Sequence, residues 1–378
     1  MLMSDAGTPV HVIGAGPAGL ATAAALTARG LAAVVLERGE SVGAAWRAHY
    51  EGLRLQSPRA YAELPGLPPQ RTSGGRLTRD DFVAYLERYA AHHRVEIATG
   101  VEVSKITRTG EQWRLDANGG RRLTTPAVVV ATGLNHTPYT PSWPGRDRFE
   151  GELLHSADYR TSAPYKNRDV LVVGCGSSGT GIAADLARGG ASRVRLAVRT
   201  PRHVVRRSSL GWPAQRSAIL ARRLPTGLGD RLSGRLTRVE NLGKHGFPHP
   251  RRGICSAAAA GAPPVVDDGF SGLVRGGRIE PVAGVDRFSG AEVRLADGSS
   301  VRPDAVVAAT GYRSALGQLV GDLEQLDGSG RPLVHGPRTL PHSPGLHFAG
   351  FTRPVSGALR ELAHEARRIA QALVEATS

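Results

Sequence analysis

The chain has 378 residues, of which 40% are hydrophobic, and a formal net charge of +15. This length predicts two or three domains, and the only cysteines, Cys175 and Cys255, exclude a disulfide framework. The start, MLMSDAGTPVHVIG, lacks a basic segment followed by an apolar run, and no apolar run approaches the ~18 residues that span a bilayer. We therefore expect a cytoplasmic protein without a signal peptide or a transmembrane segment.

The first predicted unit is VHVIGAGPAGLATAAALTARGLAAVVLER, which reads as strand, glycine loop, helix and second strand. Gly14 permits a tight turn, Gly16 lets the backbone approach a pyrophosphate, and Gly19 lets the helix pack closely on the strand. The helix N-terminus would face the phosphates with its partial positive charge. Glu37 ends the second strand, where a carboxylate accepts hydrogen bonds from ribose hydroxyls. This pattern predicts an FAD site.

A second unit, DVLVVGCGSSGTGIAADLARGGASRVRLAVRTPRH, repeats this plan about 160 residues later. Its loop carries three glycines at the same spacing: Gly174, Gly176 and Gly179. The residue that ends the second strand is Arg199 instead of an acid. A carboxylate would repel a 2′-phosphate, whereas a guanidinium can grip it. The second site is therefore predicted to take NADPH and not NADH.

Four side chains of this second unit leave alternatives open. Arg202, Arg206 and Arg207 either add to the phosphate grip or form a solvated basic face. Cys175 lies inside the loop, where a helix N-terminus could activate a thiol. Because the sequence has no CxxC partner for it, a small packing residue is the favoured interpretation.

Almost all of the net charge lies between residues 188 and 252, where fifteen arginines and one lysine oppose two acids, sixteen minus two giving +14. Such a stretch can steer an anionic cofactor inward. We expect no nucleic-acid partner, since Trp212 and Phe247 are the only aromatic residues there that could stack on bases. A peripheral membrane contact around residues 217–236 stays a minor alternative.

Two further strands end alike, VVVATG at 128–133 and VVAATG at 306–311, and an amphipathic helix, GALRELAHEARRIAQALVEA, closes the chain. One strand would close the first half and the other would return the chain after the second unit. We predict an α/β fold of two nested Rossmann-like domains. An FAD domain (1–165 and 301–378) is interrupted by an NADPH domain (166–300).

Two dinucleotide sites without a redox cysteine pair make a flavin the hydride acceptor. The residues themselves leave the next acceptor open: dioxygen, a quinone or an iron–sulfur protein.

FEGELLHSADY, residues 149–159, places Phe149, Gly151, His155 and Tyr159 at the spacing FxGxxxHxxxY. This pattern resembles the fingerprint of flavin-containing monooxygenases and lies between the two glycine loops, as it does in that family. The related fingerprint of Baeyer–Villiger monooxygenases ends in Trp, so Tyr159 argues against that class. The resemblance runs almost end to end through GAGPAG, GAAW, LRLQSP, ATGLNHTPYTPSWPG, GCGSSG, VRTPRHVV, PVVDDGF, ATGYRS and GLHFAGFTRP. The last four of these segments resemble plant indole-3-pyruvate monooxygenases and their bacterial relatives most.

The resemblance implies an FAD- and NADPH-dependent monooxygenase that acts on a small amine, sulfide or 2-oxo acid. NADPH reduces the flavin, dioxygen adds at flavin carbon 4a to give a hydroperoxide, and the substrate takes the distal oxygen. His155 and Tyr159 would be structural couplers beside the NADP site. The oligomeric state is not implied.

The resemblance also implies a set of cofactor contacts around the glycine loops. Besides the loop glycines, Glu37 and Arg199, this set comprises Pro17, Ala18, Arg38, Ala45, Trp46, Gln56, Ser57, Val103, Thr132, Gly133, His155, Tyr159, Ser177, Ser178, Thr200, Thr310, Gly311 and Gly350.

The chain departs from the family pattern at three places, of which GAAW in place of the commoner Gly-Gly pair is a mild change. Many members have Asn where this chain has Gln56, an amide that can hydrogen-bond NADP⁺ and the flavin peroxide, so the longer side chain bears on peroxide lifetime and not on reduction. Asp268 stands where plant relatives have an apolar residue, which argues against indole-3-pyruvate. The alternatives are an NADPH-dependent reductase or oxidase without oxygen insertion, and a non-catalytic redox-sensing flavoprotein.

Overall fold

The computed structural model describes residues 8–71, 75–209, 212–221, 224–237, 239–352, 354 and 356–377. The strands in chain order are β1 (Val10–Ile13), β2 (Ala33–Leu36), β3 (Glu96–Ala98), β4 (Val103–Thr109), β5 (Gln112–Ala117), β6 (Arg121–Thr125), β7 (Val128–Val130), β8 (Thr137–Pro138), β9 (Glu152–His155), β10 (Asp169–Val173), β11 (Arg193–Val198), β12 (Val204–Val205), β13 (Ser208–Ser209), β14 (Trp212–Pro213), β15 (Val265–Val266), β16 (Glu280–Ala283), β17 (Val285–Ser289), β18 (Glu292–Leu295), β19 (Ser300–Val301), β20 (Ala305–Ala308), β21 (Tyr312–Arg313) and β22 (Leu346–Phe348). The α-helices are α1 (Pro17–Thr27), α2 (Ala44–Arg47), α3 (Arg79–His92), α4 (Ser177–Arg188), α5 (Ala214–Ala221), α6 (Thr226–Leu236), α7 (Ile254–Ala259), α8 (Phe270–Arg275), α9 (Leu316–Val320) and α10 (Ala358–Thr377).

The first glycine loop belongs to a parallel sheet of order β22-β7-β1-β2-β3. Its strands are short apolar runs because helices cover the faces of such sheets. Helix α1 is apolar around most of its circumference, and its residues from Ala18 to Leu26 are buried. It packs in one core with α3 and with the apolar face of α10, of which Leu359, Ile369 and Leu373 are buried. The predicted amphipathic C-terminal helix is thereby confirmed.

The second glycine loop belongs to another parallel sheet, of order β16-β11-β10-β20-β9. Together the two sheets confirm the predicted α/β class with two Rossmann-like units. Strand β20, which was expected to return the chain to the first unit, pairs with β10, and β9 pairs with β20. Strands β9 and β20 thus belong to the second sheet although they lie outside residues 166–300.

The chain crosses between the sheets twice, and the crossings run side by side. Strand β8 pairs antiparallel with β21, and the Tyr139 N–H donates to the Gly311 carbonyl at 2.9 Å. The antiparallel sheets β4-β5-β6 and β17-β18-β19 are attached to the first and second units, and α5, α6 and α7 pack on one another in the second. Within the described part of the chain, no helix combines the length and apolar character that crossing a membrane requires.

Candidate cofactor and active site

The first glycine loop is so tight that two of its glycines have no room for a side chain. Gly14 has φ +108°, and a Cβ there would lie 2.7 Å from the Ala131 carbonyl oxygen. A Cβ on Gly19 would lie 1.9 Å from the Gly14 carbonyl oxygen. Gly14 therefore needs glycine for its positive φ and for space, and Gly19 needs it for the close approach of α1, whether or not a ligand is bound.

Gly16 differs, because a Cβ built on it would meet no atom of the described residues within 4 Å. It is the N-cap of α1 and makes no side-chain capping bond, and Pro17 follows at the first helical position. The first N–H groups of α1 therefore face open volume without a protein acceptor. Nearby, the buried Thr132 Oγ1 has no hydrogen-bond partner among the residues described. A dinucleotide pyrophosphate fits this cradle.

Glu37 is buried at the end of β2 and is held in place by backbone amides. Its Oε2 accepts from the Ala15 N–H at 2.7 Å, and its Oε1 accepts from the Gly39 N–H at 2.8 Å. Each oxygen has lone pairs left for a ribose hydroxyl. The exposed Arg38 contacts His136 Nε2 at 2.9 Å.

Other predicted contact residues surround this loop. The Gly43 N–H donates to the Ala15 carbonyl at 3.1 Å and leads into α2, which carries Ala45 and Trp46; the Trp46 ring packs edge-on against another aromatic ring at 4.6 Å. Gly350 approaches the start of α1, where its Cβ would lie 3.1 Å from the Ala18 Cβ.

The remaining predicted residues of the first unit have fewer contacts that tie them to the glycine loop. Val103 packs beside the end of β2. Gly133 follows Thr132 with φ +80°. Gln56 and Ser57 are half-buried, and the Gln56 amide makes no hydrogen bond within the described ranges. No contact ties Gln56 to either glycine loop there, so its role rests on the resemblance.

The second loop has nearly the same backbone geometry as the first. Gly174 has φ +109°, and its Cβ would lie 2.6 Å from the Ala309 carbonyl oxygen; a Cβ on Gly179 would lie 1.7 Å from the Gly174 carbonyl oxygen. Gly176 again faces open space with respect to the described atoms and is the N-cap of α4 without a side-chain cap. Ser177 and Ser178 start that helix.

Arg199, directly after β11, is exposed and forms no ion pair with any described carboxylate. The other arginines of this region are engaged. Arg202 donates to the Pro263 carbonyl at 3.1 Å, Arg206 pairs with Glu240, and Arg207 pairs with Asp268 at 3.0 Å. Of these four arginines, Arg199 is the one without a partner among the described residues, which leaves its guanidinium available to a ligand beside this loop.

Cys175 is buried, and its thiol contacts the Thr200 carbonyl oxygen at 3.2 Å. Burial raises the pKa of the Cys175 thiol. The thiol therefore stays protonated, as a packing residue and not as an activated nucleophile.

The first half of the fingerprint forms an aromatic corner. The Phe149 ring packs edge-on against Phe288, with centroids 5.2 Å apart. A Cβ on Gly151 would lie 2.6 Å from the Phe149 ring and 2.9 Å from the Asp304 carbonyl oxygen. Gly151 thus makes room for the ring.

His155 ends β9 and uses both ring nitrogens. Its Nδ1 accepts from the Ala157 N–H at 3.0 Å, so the ring proton sits on Nε2 and is donated to the Gly311 carbonyl at 3.0 Å. Burial lowers the pKa of His155. The neutral imidazole therefore fixes the crossing at Gly311, next to Thr310, whose hydroxyl donates to the Tyr139 carbonyl.

Tyr159 is 1% exposed and joins the two units. Its hydroxyl donates to Asp185 Oδ2 on α4 at 2.7 Å, and its ring packs edge-on against Tyr50 from the first unit. Burial, followed by the hydrogen bond to Asp185, raises the pKa of Tyr159. The contact is close, since a Cβ on Gly181 of α4 would lie 2.3 Å from the Tyr50 hydroxyl. Tyr50 and Asp185 carry no sequence pattern that would have singled them out.

A second link between the units involves Asp268. Its carboxylate pairs with Arg76 of the first unit, whose side chain is 7% exposed, and with Arg207. Burial alone would raise the pKa of Asp268, but Arg76, Arg207 and Arg188 together hold it below its usual value. The departure from the plant pattern at Asp268 thus belongs to an ion pair between units.

Comparison with known proteins identifies the family. A sequence model described as pyridine nucleotide-disulphide oxidoreductase matches residues 11–211, more than half of the chain. In the structure, Cys175 and Cys255 are both free thiols.

An indole-3-pyruvate monooxygenase of Oryza sativa subsp. japonica is 36% identical over 352 residues, which are 90% of this chain and 86% of that protein. An indole-3-pyruvate monooxygenase of Arabidopsis thaliana is 33% identical and covers 95% of this chain and 88% of its own.

A double mutant of a flavin monooxygenase from Stenotrophomonas maltophilia has a structure similar to this one. It shares 25% identity, with a TM-score of 0.75 over 98% of this chain and 99% of its own. These relatives favour oxygen insertion over the reductase and sensor alternatives. The chain belongs to the class B flavin-containing monooxygenases, and it is an FAD-dependent, NADPH-consuming oxidoreductase that transfers one oxygen atom of dioxygen to a small organic substrate.

Proposed function

We propose that this monooxygenase acts on a 2-oxo acid, with indole-3-pyruvate as the first candidate ahead of amines and sulfides. The two plant relatives described above are both named for indole-3-pyruvate. Asp268 stands where plant relatives have an apolar residue, which argued against indole-3-pyruvate. This objection loses its weight, since the Asp268 carboxylate pairs with Arg76 and Arg207 across the two units.

The first glycine loop would hold FAD. Gly16 leaves space for the pyrophosphate, the first N–H groups of α1 would donate to it, and Glu37 would accept from the ribose. Pro17, Ala18, Trp46 and the other predicted residues of this unit would complete the cradle. Bound FAD supplies the hydride acceptor and the centre at which dioxygen is activated.

The second loop would hold NADPH. Gly176 and the N-terminus of α4 would receive the pyrophosphate, and the free Arg199 guanidinium, with Thr200 beside it, would grip the 2′-phosphate. This grip would select NADPH over NADH.

The fingerprint would act by position and not by proton transfer. His155 holds the Gly311 crossing, and Tyr159 holds α4 against Tyr50, so the two loops keep one mutual orientation. No described carboxylate orients His155 for acid–base work, and its two nitrogens are already bonded to backbone groups. The half-buried Gln56 amide would hydrogen-bond the cofactors and help to exclude water.

One observation carries the cofactor assignment. Two loops of the same geometry each have one glycine whose Cβ would meet no described atom within 4 Å. The strand after the first helix leads to a carboxylate fixed by backbone amides, and the strand after the second helix leads to Arg199, which pairs with no described carboxylate. We further propose domain boundaries close to the two crossings, near residues 140–150 and 309–313. We also propose a cytoplasmic location, with no nucleic-acid partner.

A substrate screen tests the proposed class. Oxygenation at the carbonyl carbon of a 2-oxo acid would release carbon dioxide and leave an acid one carbon shorter, while the second oxygen atom leaves as water with the electrons of NADPH. We expect NADPH consumption matched by that acid for indole-3-pyruvate, and none matched by an N-oxide or sulfoxide for amines and sulfides. If NADPH consumption were matched by an N-oxide or sulfoxide, and not by the shortened acid from indole-3-pyruvate, the 2-oxo acid proposal would be refuted. The cofactor assignment would stay intact.

A further inference from the structure

The tip of the α5–α6 hairpin carries an unusual density of exposed leucines. Leu220, Leu224 and Leu228 are 45%, 38% and 52% exposed, and they lie within nine consecutive positions around the turn between the two helices. They make up half of the exposed large hydrophobic side chains among the residues described. Grouped apolar exposure of this kind marks an interaction surface more often than chance exposure does.

The outward face of the hairpin joins these leucines to arginines. On α6, Leu228, Arg231 and Arg235 are exposed at spacings of three and four, and so lie on one side of the helix. Gly229 and Ser233 are buried on the opposite side. The outward face of α6 is therefore apolar at the tip and cationic behind it.

The hairpin also carries the exposed pair Arg216 and Leu220 on α5.

The negative charge of this segment is turned inward. Asp230, its only acidic residue, accepts from the Cys255 N–H at 2.6 Å, the Ser256 N–H at 3.2 Å and the Ser256 hydroxyl. Arg231 and Arg235 pair with no carboxylate in the described ranges. The outward face thus presents cations to whatever covers the leucines.

We propose that this tip docks the enzyme on the surface of an anionic phospholipid bilayer. At 1.5 Å per residue, Arg231 and Arg235 lie about 4.5 Å and about 10.5 Å behind Leu228 along α6. Interfacial helices bury their apolar side chains about 5–10 Å deep, so the arginines would reach the headgroup phosphates while the leucines enter the acyl boundary.

The composition of the surface argues against other occupants. A second copy of the chain would bring the same cationic face, which repels it. Residues 214–236 contain no aromatic side chain on which a nucleic-acid base could stack. The base of the hairpin contacts the first unit, where Gln215 donates to the Ser356 carbonyl at 2.7 Å and Arg216 donates to the Tyr61 hydroxyl at 3.0 Å. A docked tip would therefore leave the hairpin anchored to the body of the enzyme.

Vesicle binding of the FAD-loaded enzyme tests the proposal. Co-sedimentation should occur with vesicles that mix phosphatidylglycerol into phosphatidylcholine, should weaken with added salt, and should be absent with phosphatidylcholine alone. The combined change Leu220→Gln, Leu224→Gln and Leu228→Gln should abolish it, whereas Leu333→Gln, at an exposed leucine elsewhere, should not. Arg231→Gln with Arg235→Gln should weaken binding roughly 30-fold, the factor expected for two arginines at such a surface.

Arg121→Gln with Arg122→Gln removes the same charge from β6 and serves as the control for net charge. Unchanged flavin content and circular dichroism would show that each variant is folded. The proposal is overturned if the native enzyme fails to bind anionic vesicles, or if the leucine and control variants bind equally. It is also overturned if the leucines instead support self-association that vesicles do not compete with.

Discussion

Tyr159 donates a 2.7 Å hydrogen bond to Asp185 on α4 while its ring lies against Tyr50 of the first unit. The fingerprint tyrosine thus fixes the helix that starts at the second glycine loop. We propose that it acts at a distance from the chemistry, by setting how the two proposed cofactor sites face each other.

Replacing Tyr159 by Phe should therefore slow the anaerobic reduction of the flavin by NADPH. A hydrogen bond to a charged group contributes about 1.5–3 kcal/mol, and its loss frees α4 to shift. Tyr165→Phe is the matched control, because Tyr165 also donates to a carboxylate, Glu152 at 2.9 Å, but within the second unit. Both variants should lose stability in urea unfolding, and only Tyr159→Phe should change the reduction rate in stopped-flow absorbance. Equal rates in both would assign Tyr159 to stability alone.

The open glycines predict two opposite phenotypes. Gly16→Val should fold, since its side chain enters open space, and should be colourless because it blocks FAD. Gly176→Val should be yellow and fail to be reduced by NADPH. Gly14→Val should not fold, because its Cβ would meet the Ala131 carbonyl at 2.7 Å. A folded, yellow Gly16→Val protein would contradict the FAD assignment.

Arg199→Ala should raise the KM for NADPH roughly 10- to 150-fold and leave that for NADH nearly unchanged, because a charge-assisted contact contributes about 1.5–3 kcal/mol. Arg202→Ala should have little effect, since Arg202 is held by the Pro263 carbonyl. Steady-state kinetics with both cofactors decide the point, and parallel losses with NADPH and NADH would rule out a 2′-phosphate contact.

Gln56→Leu should leave anaerobic reduction unchanged and increase the hydrogen peroxide released per NADPH in air. The loss of amide hydrogen bonds, each about 0.5–1.5 kcal/mol net, would leave the oxygen-activating centre less shielded from water. Gln56→Asn keeps the amide and should stay coupled. A peroxide assay beside NADPH absorbance measures both, and unchanged coupling in Gln56→Leu would retire this residue from the mechanism.

His155 predicts a pH dependence of stability. Burial lowers the pKa of His155 below the unfolded value of 6.5. At a pH between the two pKa values, the unfolded chain therefore binds a proton that the folded chain does not bind. The contribution of His155 to the free energy of unfolding is complete above about pH 6.5 and is lost as the pH falls through the folded pKa. His155→Gln should flatten the fall of Tm between pH 6.5 and 5, with a residual slope from other buried histidines such as His11 and His347. An unaltered slope would show that His155 does not titrate on unfolding.

The sequence predicted the parts of the site that are local in the chain. A glycine loop, its flanking strands and the residue after the second strand lie within 30 residues, and their roles follow from backbone sterics and from one charge, Glu37 or Arg199. The fingerprint was found by resemblance. His155 and Tyr159 were expected to act as structural couplers, but the residues that they contact were not predicted.

Contacts between distant segments could not be predicted in the same way. Strand β20 reads equally well as a strand of either sheet, because it is a short apolar run like β7 of the first sheet, and only its pairing with β10 and β9 places it. The pair Arg76–Asp268 spans 192 positions, and although Asp268 lies in the segment PVVDDGF, nothing in the sequence links it to Arg76. Tyr50 and Asp185 are likewise recognisable only once the two units are packed together.

Oxygen transfer itself is the central claim, and isotope labelling measures it most directly. The enzyme is reduced anaerobically with one equivalent of NADPH, mixed with ¹⁸O₂ and indole-3-pyruvate, and its products are analysed by mass spectrometry. We predict one ¹⁸O atom in the organic product and the other in water, with little hydrogen peroxide. Reoxidation that places all of the label in hydrogen peroxide, for 2-oxo acids, amines and sulfides alike, would contradict the account.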